Sequence, residues 1–438
     1  MSEWLASLTA WLGAHPQWLG LAIFVIACIE CLAIAGIVVP GTVLLFAVAV
    51  LAGSGSLSLG ETLLLAYTGG LLGDALSYGL GRYFHQDIRR LPGLRHNPQW
   101  LAGAEQYFQR YGVASLLVGR YIGPLRPMLP MVAGMCNMPF GRFVAVSLLA
   151  AAGWTVAYLL PGWATGAALR LPLPPGFWPQ AAVVAAGLAL LVLISVHSSA
   201  HGQRHASAIT AGLSLLVLLG LFIGWPQLIQ LDQGLLALVQ EQRSALLDPL
   251  VIFITHLGDF TVQLLAAVLL CLLLLATRQW RALIFSVATL LGTALANGAL
   301  KALFARQRPD VLLEPLSSYS FPSGHSSAAF AFFLVLGVLA GRDQPVRLRL
   351  TWLILACLPA AAIAGSRVYL GVHWPSDVIA GALLASSLCA ISLYLCQWRT
   401  PLHALSARIW WLVLPACLGL LGSMALWRLG EGVLLYRY

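Results

Sequence analysis

Apolar runs of bilayer-spanning length recur from one end of this 438-residue chain to the other, and no other feature limits its fold as strongly. A helix needs about 20 such residues to cross a hydrocarbon layer of about 30 Å. Only 9% of the residues are charged and 60% are hydrophobic, whereas soluble domains carry about 25% charged residues. A barrel would need many segments of about 10 residues with alternating hydrophobicity, and the sequence has none. The pattern predicts an all-α integral membrane protein.

The formal charge of +9 does not point to nucleic acid, because the basic residues are scattered through short loops between apolar runs. There they set orientation and attract anionic head groups. The eight cysteines lie almost entirely inside apolar stretches. They read as small buried hydrophobes, including the C-x-x-C of Cys28 and Cys31, and predict neither a disulfide framework nor a zinc site. The first residues lack the basic start and compact apolar core of a cleavable leader. Trp4, Trp11 and Trp18, with Leu5, Leu8 and Leu12 between them, suit an amphipathic helix in the interface that Pro16 ends.

The sharpest break in composition is SVHSSAHGQRHASA (195–208), which predicts a domain boundary near residue 203. Downstream, spans are expected near 207–225, 250–276, 282–304, 325–341, 350–370, 377–397 and 409–427. Loops 277–281, 342–349 and 398–408 carry Arg278, Arg281, Arg342, Arg347, Arg349, Arg399 and Arg408. The positive-inside rule makes these loops cytoplasmic and the opposite loops periplasmic. Upstream, residues 18–52 are apolar but broken at Pro40-Gly41, and 57–81 read as a full span. A basic stretch (82–112) with Arg82, Arg89, Arg90, Arg95 and Arg110 follows. A second broken run (113–138) then leads to spans 141–168 and 178–196. A broken apolar run followed by a full span thus occurs twice, as in transporters built from repeats.

Three polar clusters fall on the predicted periplasmic side: KALFARQRP (301–309), FPSGHSS (321–327) and SRVYLGVHWPSD (366–377). Phosphoryl transfer needs donors around the attacked phosphorus, because charge spreads over its equatorial oxygens. Lys301 and Arg308, two turns apart on a helix that Pro309 would end, can face one pocket. Arg367 adds a planar fork for two oxygens. Ser323 is a natural N-cap, Gly324 allows close backbone approach, and a helix N-terminus presents free N–H groups to an anion. His325 at that opening could protonate a leaving oxygen. His373 and Asp377 are four apart, with Pro375 placed to begin a helix. The carboxylate would fix the imidazole tautomer and free the other nitrogen for attack.

These three motifs, K-x6-R-P, P-S-G-H and S-R-x5-H-x3-D, resemble without a gap the signature of the type-2 phosphatidic acid phosphatase superfamily. The resemblance covers about 203–400 and implies a six-helix core and a metal-independent reaction through a phosphohistidine. It implies His373 as nucleophile, Asp377 as its orienting partner and His325 as general acid. Lys301, Arg308, Ser323, Gly324 and Arg367 would hold the phosphoryl oxygens. No cofactor or metal is expected, since near the motifs only Asp310, Glu314 and Asp377 offer the oxygen ligands magnesium takes.

In the first half, Glu30 sits in an apolar run, and Arg120 and Arg126 bracket YIGPL before Pro127 and Pro130. A charge at bilayer depth costs about 2.5–3.5 kcal/mol on insertion scales, so Glu30 is expected to pair with Arg120 or Arg126. Gly73-Asp74-x3-Tyr78-x2-Gly81-Arg82, Glu30 with Pro40-Gly41, and RYIGPLRPMLPMVAGM (120–135) resemble the DedA family over about 15–170. That resemblance implies two inverted re-entrant hairpins and lipid movement, with Glu30, Asp74, Arg120 and Arg126 as transport residues. Thr42 stands where many members carry an acid, which argues against proton coupling.

Together these readings predict a DedA-like lipid transport domain (1–202), a phosphatidic acid phosphatase-like domain (203–400) and one extra span (401–438) to which no function is given. The expected setting is a bacterial inner membrane, with the phosphatase site facing the periplasm. The expected partners are a lipid phosphate substrate, undecaprenyl diphosphate among the candidates, and membrane lipids, with no nucleic acid. Oligomeric state stays open, a homodimer being one option. A broader phosphatidic acid or phosphatidylglycerophosphate phosphatase is the alternative. A vanadate-dependent haloperoxidase shares the catalytic residue types but is soluble, and a transporter with a dead enzyme domain would not need every catalytic residue.

Overall fold

The computed structural model describes residues 7, 11–33, 35–38, 41–84, 98–120, 126–201, 205–314, 316 and 318–438. Expectations for Trp4, Leu5, Leu8, Pro40, Arg89, Arg90, Arg95, the YIGPL segment (121–125) and the boundary at 203 fall outside these residues. The described residues form helices and connections, with no strand among them. Among the described residues, seven helices are long and apolar enough to span a membrane, and a bent pair adds an eighth if it counts as one span. The all-α membrane fold read from hydropathy is therefore present.

The chain divides into two compact units, Met1–Leu173 and Pro174–Tyr438. The division falls inside the proline-rich LPLPPG (171–176) and precedes the polar break chosen from composition. That break only joins two helices of the second unit.

In the first unit the helices are α1 (Leu19–Cys31), α2 (Ala35–Val38), α3 (Gly41–Leu51), α4 (Leu59–Tyr83), α5 (Pro98–Tyr111), α6 (Val113–Gly119), α7 (Met128–Met135) and α8 (Phe140–Arg170). The apolar run 18–52 is broken at Leu32, which takes an extended conformation. α4 begins in a capping box. Ser58 Oγ accepts from the Glu61 backbone, and the Glu61 carboxylate accepts from the Ser58 N–H. At 25 residues it is about 37 Å long.

One face of α4 carries Gly69, Gly73, Ser77 and Gly81, four apart, and there other backbones touch it. A Cβ at Gly69 would stand 2.2 Å from the Phe24 carbonyl oxygen, at Gly73 2.3 Å from that of Cys28, and at Gly81 1.9 Å from that of Met131. Such small-residue stripes let membrane helices approach where no hydrophobic force drives them together. Gly73→Leu should push α1 off α4 and destabilise the first unit by about 1–3 kcal/mol. A lowered melting midpoint of the purified protein would register it.

In the second unit the helices are α9 (Phe177–Ala200), α10 (Ala206–Gly224), α11 (Ile229–Gln240), α12 (Asp248–His256), α13 (Phe260–Ala276), α14 (Trp280–Phe304), α15 (Gly324–Ala340), α16 (Val346–Tyr369), α17 (Pro375–Cys396), α18 (Ala407–Trp427) and α19 (Leu429–Leu435). α15 is the central helix. Ala329, Phe332, Val335 and Leu339 are buried, and α13, α14, α16 and α17 pack around it. A helix apolar on every side belongs in such a place. α12 and α13 meet at a 46° bend, where the run read as one span (250–276) breaks at Gly258-Asp259. α9, assigned from composition to the first domain, packs on α10 and α11, and the Gln180 side chain accepts from the Leu231 N–H at 2.9 Å.

The three basic loops gather at one end of this unit. Arg281 donates to the carbonyls of Cys396, Thr400 and Pro401, and Asp343 accepts from the Ala404 N–H. α14 leads from that end to Lys301 at the other, which agrees with the grouping of loops inferred from charge.

Candidate active site

At the end of the second unit away from the basic loops, Lys301, Arg308, Gly324, His325 and His373 line one cavity of about 690 Å³. The three sequence clusters therefore converge, although the first does so differently from expectation. α14 ends at Phe304, where Ala305 takes a left-handed conformation (φ 45°). Lys301 is thus in the last turn and Arg308 in the following loop, not on one helical face. The residue before a proline avoids helical angles, so Pro309 keeps Arg308 in that loop.

Arg308 is held from three sides. Its Nε donates to the Ser318 carbonyl at 2.7 Å, and its Nη1 reaches the Val372 carbonyl at 2.6 Å and His373 Nε2 at 3.0 Å. A guanidinium can only donate, so His373 Nε2 is an acceptor and Nδ1 carries the proton. Nδ1 lies 3.3 Å from Asp377 Oδ2. The orienting pair read from the four-residue spacing is present, and Nε2 is the nitrogen that faces the cavity's cations.

Asp377 is wholly buried. Oδ2 accepts from the Trp374 N–H at 2.9 Å, closing the first turn of α17, and also from the Ser320 hydroxyl. Oδ1 pairs with Arg306 at 2.7 Å. The other arm of Arg306 reaches Asp232 Oδ2 at 2.7 Å, and Asp232 Oδ1 accepts from the Ser376 N–H. Arg306, Asp232 and Ser320 escaped sequence reasoning. Arg306 stood in view inside KALFARQRP, but only Lys301 and Arg308 were read there. Asp232 lies outside all three motifs.

Ser323 caps α15: its Oγ accepts from the Ser326 N–H at 3.4 Å. Its own N–H donates to the Asp377 carbonyl at 3.0 Å, tying the second motif to the third. Gly371 has φ 69°, and a Cβ there would meet Val311 at 2.6 Å. Only glycine suits that turn, which carries the chain from Arg367 to His373. Arg367 is buried behind the cavity wall, with Nη1 bound to Thr255 Oγ1 (2.8 Å) and Tyr436 Oη (2.9 Å), and Nε without a partner.

Electrostatically the cavity is dominated by cations. Burial and then Arg367 push Arg308 down to about 10, still charged at neutral pH. Burial, reinforced by Arg308, Arg367 and Lys301, holds His373 well below its ordinary 6.5, so the imidazole is neutral. A tetrahedral dianion would relieve the repulsion among these cations. Away from them the cavity becomes an apolar groove between α13 and α14, lined by Leu264, Val268, Leu272 and Leu275 on one side and Leu283, Val287 and Leu291 on the other. Its lining from Leu264 to Leu275 runs about 17 Å along α13.

In the first unit the transport candidates are also brought together. Arg126 pairs with Glu30 at 2.7 Å, and Arg120 pairs with Asp74. Of the two arginines considered for Glu30, the structure selects Arg126. Thr42 donates to Glu30 Oε1 at 3.0 Å. Trp154, fully buried, lies under both guanidiniums at 5.0 and 4.3 Å. Desolvated guanidiniums stack well on indole, which offsets part of the cost of burying four charges.

Two family models match the chain, the VTT domain over residues 39–164 and the PAP2 superfamily over 279–401. The inner membrane protein YabI of Escherichia coli is 37% identical over 152 residues, which cover 35% of this chain and 60% of YabI. The chain thus spans about three fifths of that relative's length. The decaprenylphosphoryl-5-phosphoribose phosphatase of Mycobacterium tuberculosis is 32% identical over 169 residues, 36% of this chain and 89% of the relative. Among solved structures, the PAP2-type phosphatidylglycerolphosphate phosphatase of Bacillus subtilis aligns over 43% of this chain and 97% of its own, at 26% identity and a TM-score of 0.40.

Proposed function

The chain belongs to the VTT (DedA-type) family through its first unit and to the PAP2 superfamily through its second, and on that footing we propose that it cleaves a lipid phosphate by way of His373 and moves a related lipid. The observation that carries the enzymatic half is the single cavity in which Lys301, Arg308, His325 and His373 face the head of an apolar groove. His373 Nε2 attacks the terminal phosphorus, and its bond to the leaving oxygen breaks: the lipid oxygen of a monophosphate, or the bridging oxygen of a diphosphate, which departs as the lipid monophosphate. His325 gives that oxygen a proton, and Asp377 stabilises the charge on His373. Water then attacks the phosphohistidine, its proton goes to His325, and His373 leaves with its electron pair. Lys301, Arg308 and the Ser323-Gly324 turn at the start of α15 hold the phosphoryl oxygens, and Arg367 behind the wall adds positive charge. The positive charge that the transition state needs comes from the chain itself, so phosphate release should continue in chelator.

The length of the groove favours a long isoprenoid or acyl tail, and the mycobacterial relative supports a polyprenyl phosphate. We therefore place a polyprenyl diphosphate such as undecaprenyl diphosphate first, cleaved on the periplasmic face of a bacterial inner membrane. The VTT unit would translocate the resulting monophosphate or a phospholipid. Phosphate release by purified protein across polyprenyl diphosphate, phosphatidic acid and phosphatidylglycerophosphate tests the assignment. A kcat/KM highest for either glycerolipid would replace the polyprenyl reading with the broader phosphatase. In liposomes, the protein should speed flipping of labelled polyprenyl phosphate or phospholipid, and Glu30→Gln, which breaks the pair with Arg126, should return the rate to that of protein-free vesicles.

The pH dependence follows from the depressed His373. The imidazole must be neutral to attack, and a lowered folded-state pKa keeps it neutral as pH falls past 6.5. The acid limb of kcat/KM on a soluble aryl phosphate should lie below pH 6.5. Arg308→Gln removes a cation that opposes protonation and should move the limb upward.

A further inference from the structure

Residues 402–438 lie beyond the PAP2 match, and the reaction above gives them no task. They nevertheless reach the acid side of the site. Arg428, just before α19, places Nη1 3.2 Å from Asp259 Oδ2. His256 Nδ1 lies 2.7 Å from the same oxygen, and the other oxygen, Oδ1, is 2.9 Å from His325 Nε2. Gly432 covers His256 so closely that a Cβ would stand 2.2 Å from its Nε2. One turn on, buried Tyr436 meets Arg367, with its hydroxyl 2.9 Å from Nη1 and its ring 5.6 Å from the guanidinium carbon. Arg243 fixes this end by donating to the Tyr436 carbonyl at 2.6 Å.

We propose that Asp259 is the positioning residue of the acid His325, and that the C-terminal segment, through Arg428 and Tyr436, sets the geometry of that half of the site. The proposal rests on the phosphatase reading. An imidazole that donates a proton from one nitrogen must be held by the other. With Nε2 bound to Asp259, Nδ1 is left for the leaving oxygen. The carboxylate favours the imidazolium that gives the proton, and Arg428 and His256 keep the carboxylate aimed. The site then contains two imidazole–carboxylate pairs of opposite use. In His373–Asp377 the carboxylate holds Nδ1 and Nε2 attacks. In His325–Asp259 it holds Nε2 and Nδ1 donates. Tyr436 plays a separate part, fixing Arg367 behind the wall, where its charge favours a bound phosphoryl group.

The test compares two leaving groups on the full-length protein. A lipid monophosphate releases an alkoxide that needs the proton, whereas 4-nitrophenyl phosphate releases a phenolate that leaves without it. Asp259→Asn and Arg428→Met should each lower kcat/KM on the lipid substrate by at least about tenfold, with less than about a threefold loss of kcat/KM on the aryl phosphate, because kcat/KM stops at phosphoryl transfer and excludes the shared hydrolysis step. Arg428→Lys should recover part of the loss. Tyr436→Phe should raise KM for both substrates and leave the ratio of their kcat values unchanged. Equal losses on both substrates, or none, from Asp259→Asn and Arg428→Met would overturn the proposal. Should Asp259→Asn fail to fold, Arg428→Met and Arg428→Lys decide it. An unaltered KM in Tyr436→Phe would overturn its part. If His373→Ala retains turnover, the phosphatase reading itself fails, an outcome distinct from any of these.

Discussion

His373→Ala lowers phosphate release from a lipid phosphate by at least about a thousandfold, the size of loss seen when a covalent nucleophile is removed. The protein should remain folded. His373 is a buried neutral imidazole, and Asp377 keeps Arg306, Ser320 and the Trp374 N–H as partners. An unchanged melting midpoint beside lost turnover separates chemistry from stability. Asp377→Asn should cost nearly as much in rate, because an amide can present its NH2 to Nδ1 and so invert the tautomer. It should also cost stability, since Arg306 would lose one of its two carboxylates.

The largest structural effect is expected at Arg306. Arg306→Met leaves Asp232 and Asp377, both at 0% exposure, facing each other's charge without a counterion. Removing one member of a buried ionic group costs about 3–5 kcal/mol. The variant should accumulate poorly or melt well below the wild type. Because the penalty lies in the orphaned carboxylates, Arg306→Met combined with Asp232→Asn should recover part of the stability. A double variant no better than the single one would mean that Arg306 acts chiefly through its packing on Trp225, whose ring centre is 4.7 Å from the guanidinium carbon.

Elements with local signals were legible in the sequence. Apolar runs marked α10, α14, α16, α17 and α18 to within a few residues, because lipid forces long uninterrupted helices. The motifs carrying Lys301, His325 and His373 were legible because the residue types that bind and attack a phosphate are few. Whatever depends on tertiary approach was hidden. The break at Gly258-Asp259 disappears inside an apolar run, and only the meeting of Asp259 with His325 and Arg428 gives it meaning. Tyr436 is 69 residues from the arginine it touches and belongs to no motif. Glu30 could have paired with either arginine, and distance alone settles it. The division at Leu173 was missed because a polar break is a stronger compositional signal than a short proline-rich turn, although the break between α9 and α10 separates nothing.

The account turns on a phosphoryl group passing through His373. Rapid quench into alkali of full-length protein turning over a phosphorus-32-labelled lipid phosphate, followed by peptide mapping, reads that step directly. Acid-labile label on the peptide containing His373, lost in His373→Ala, is the predicted result. Continued turnover with no labelled protein, or label on a peptide lacking His373, would contradict it.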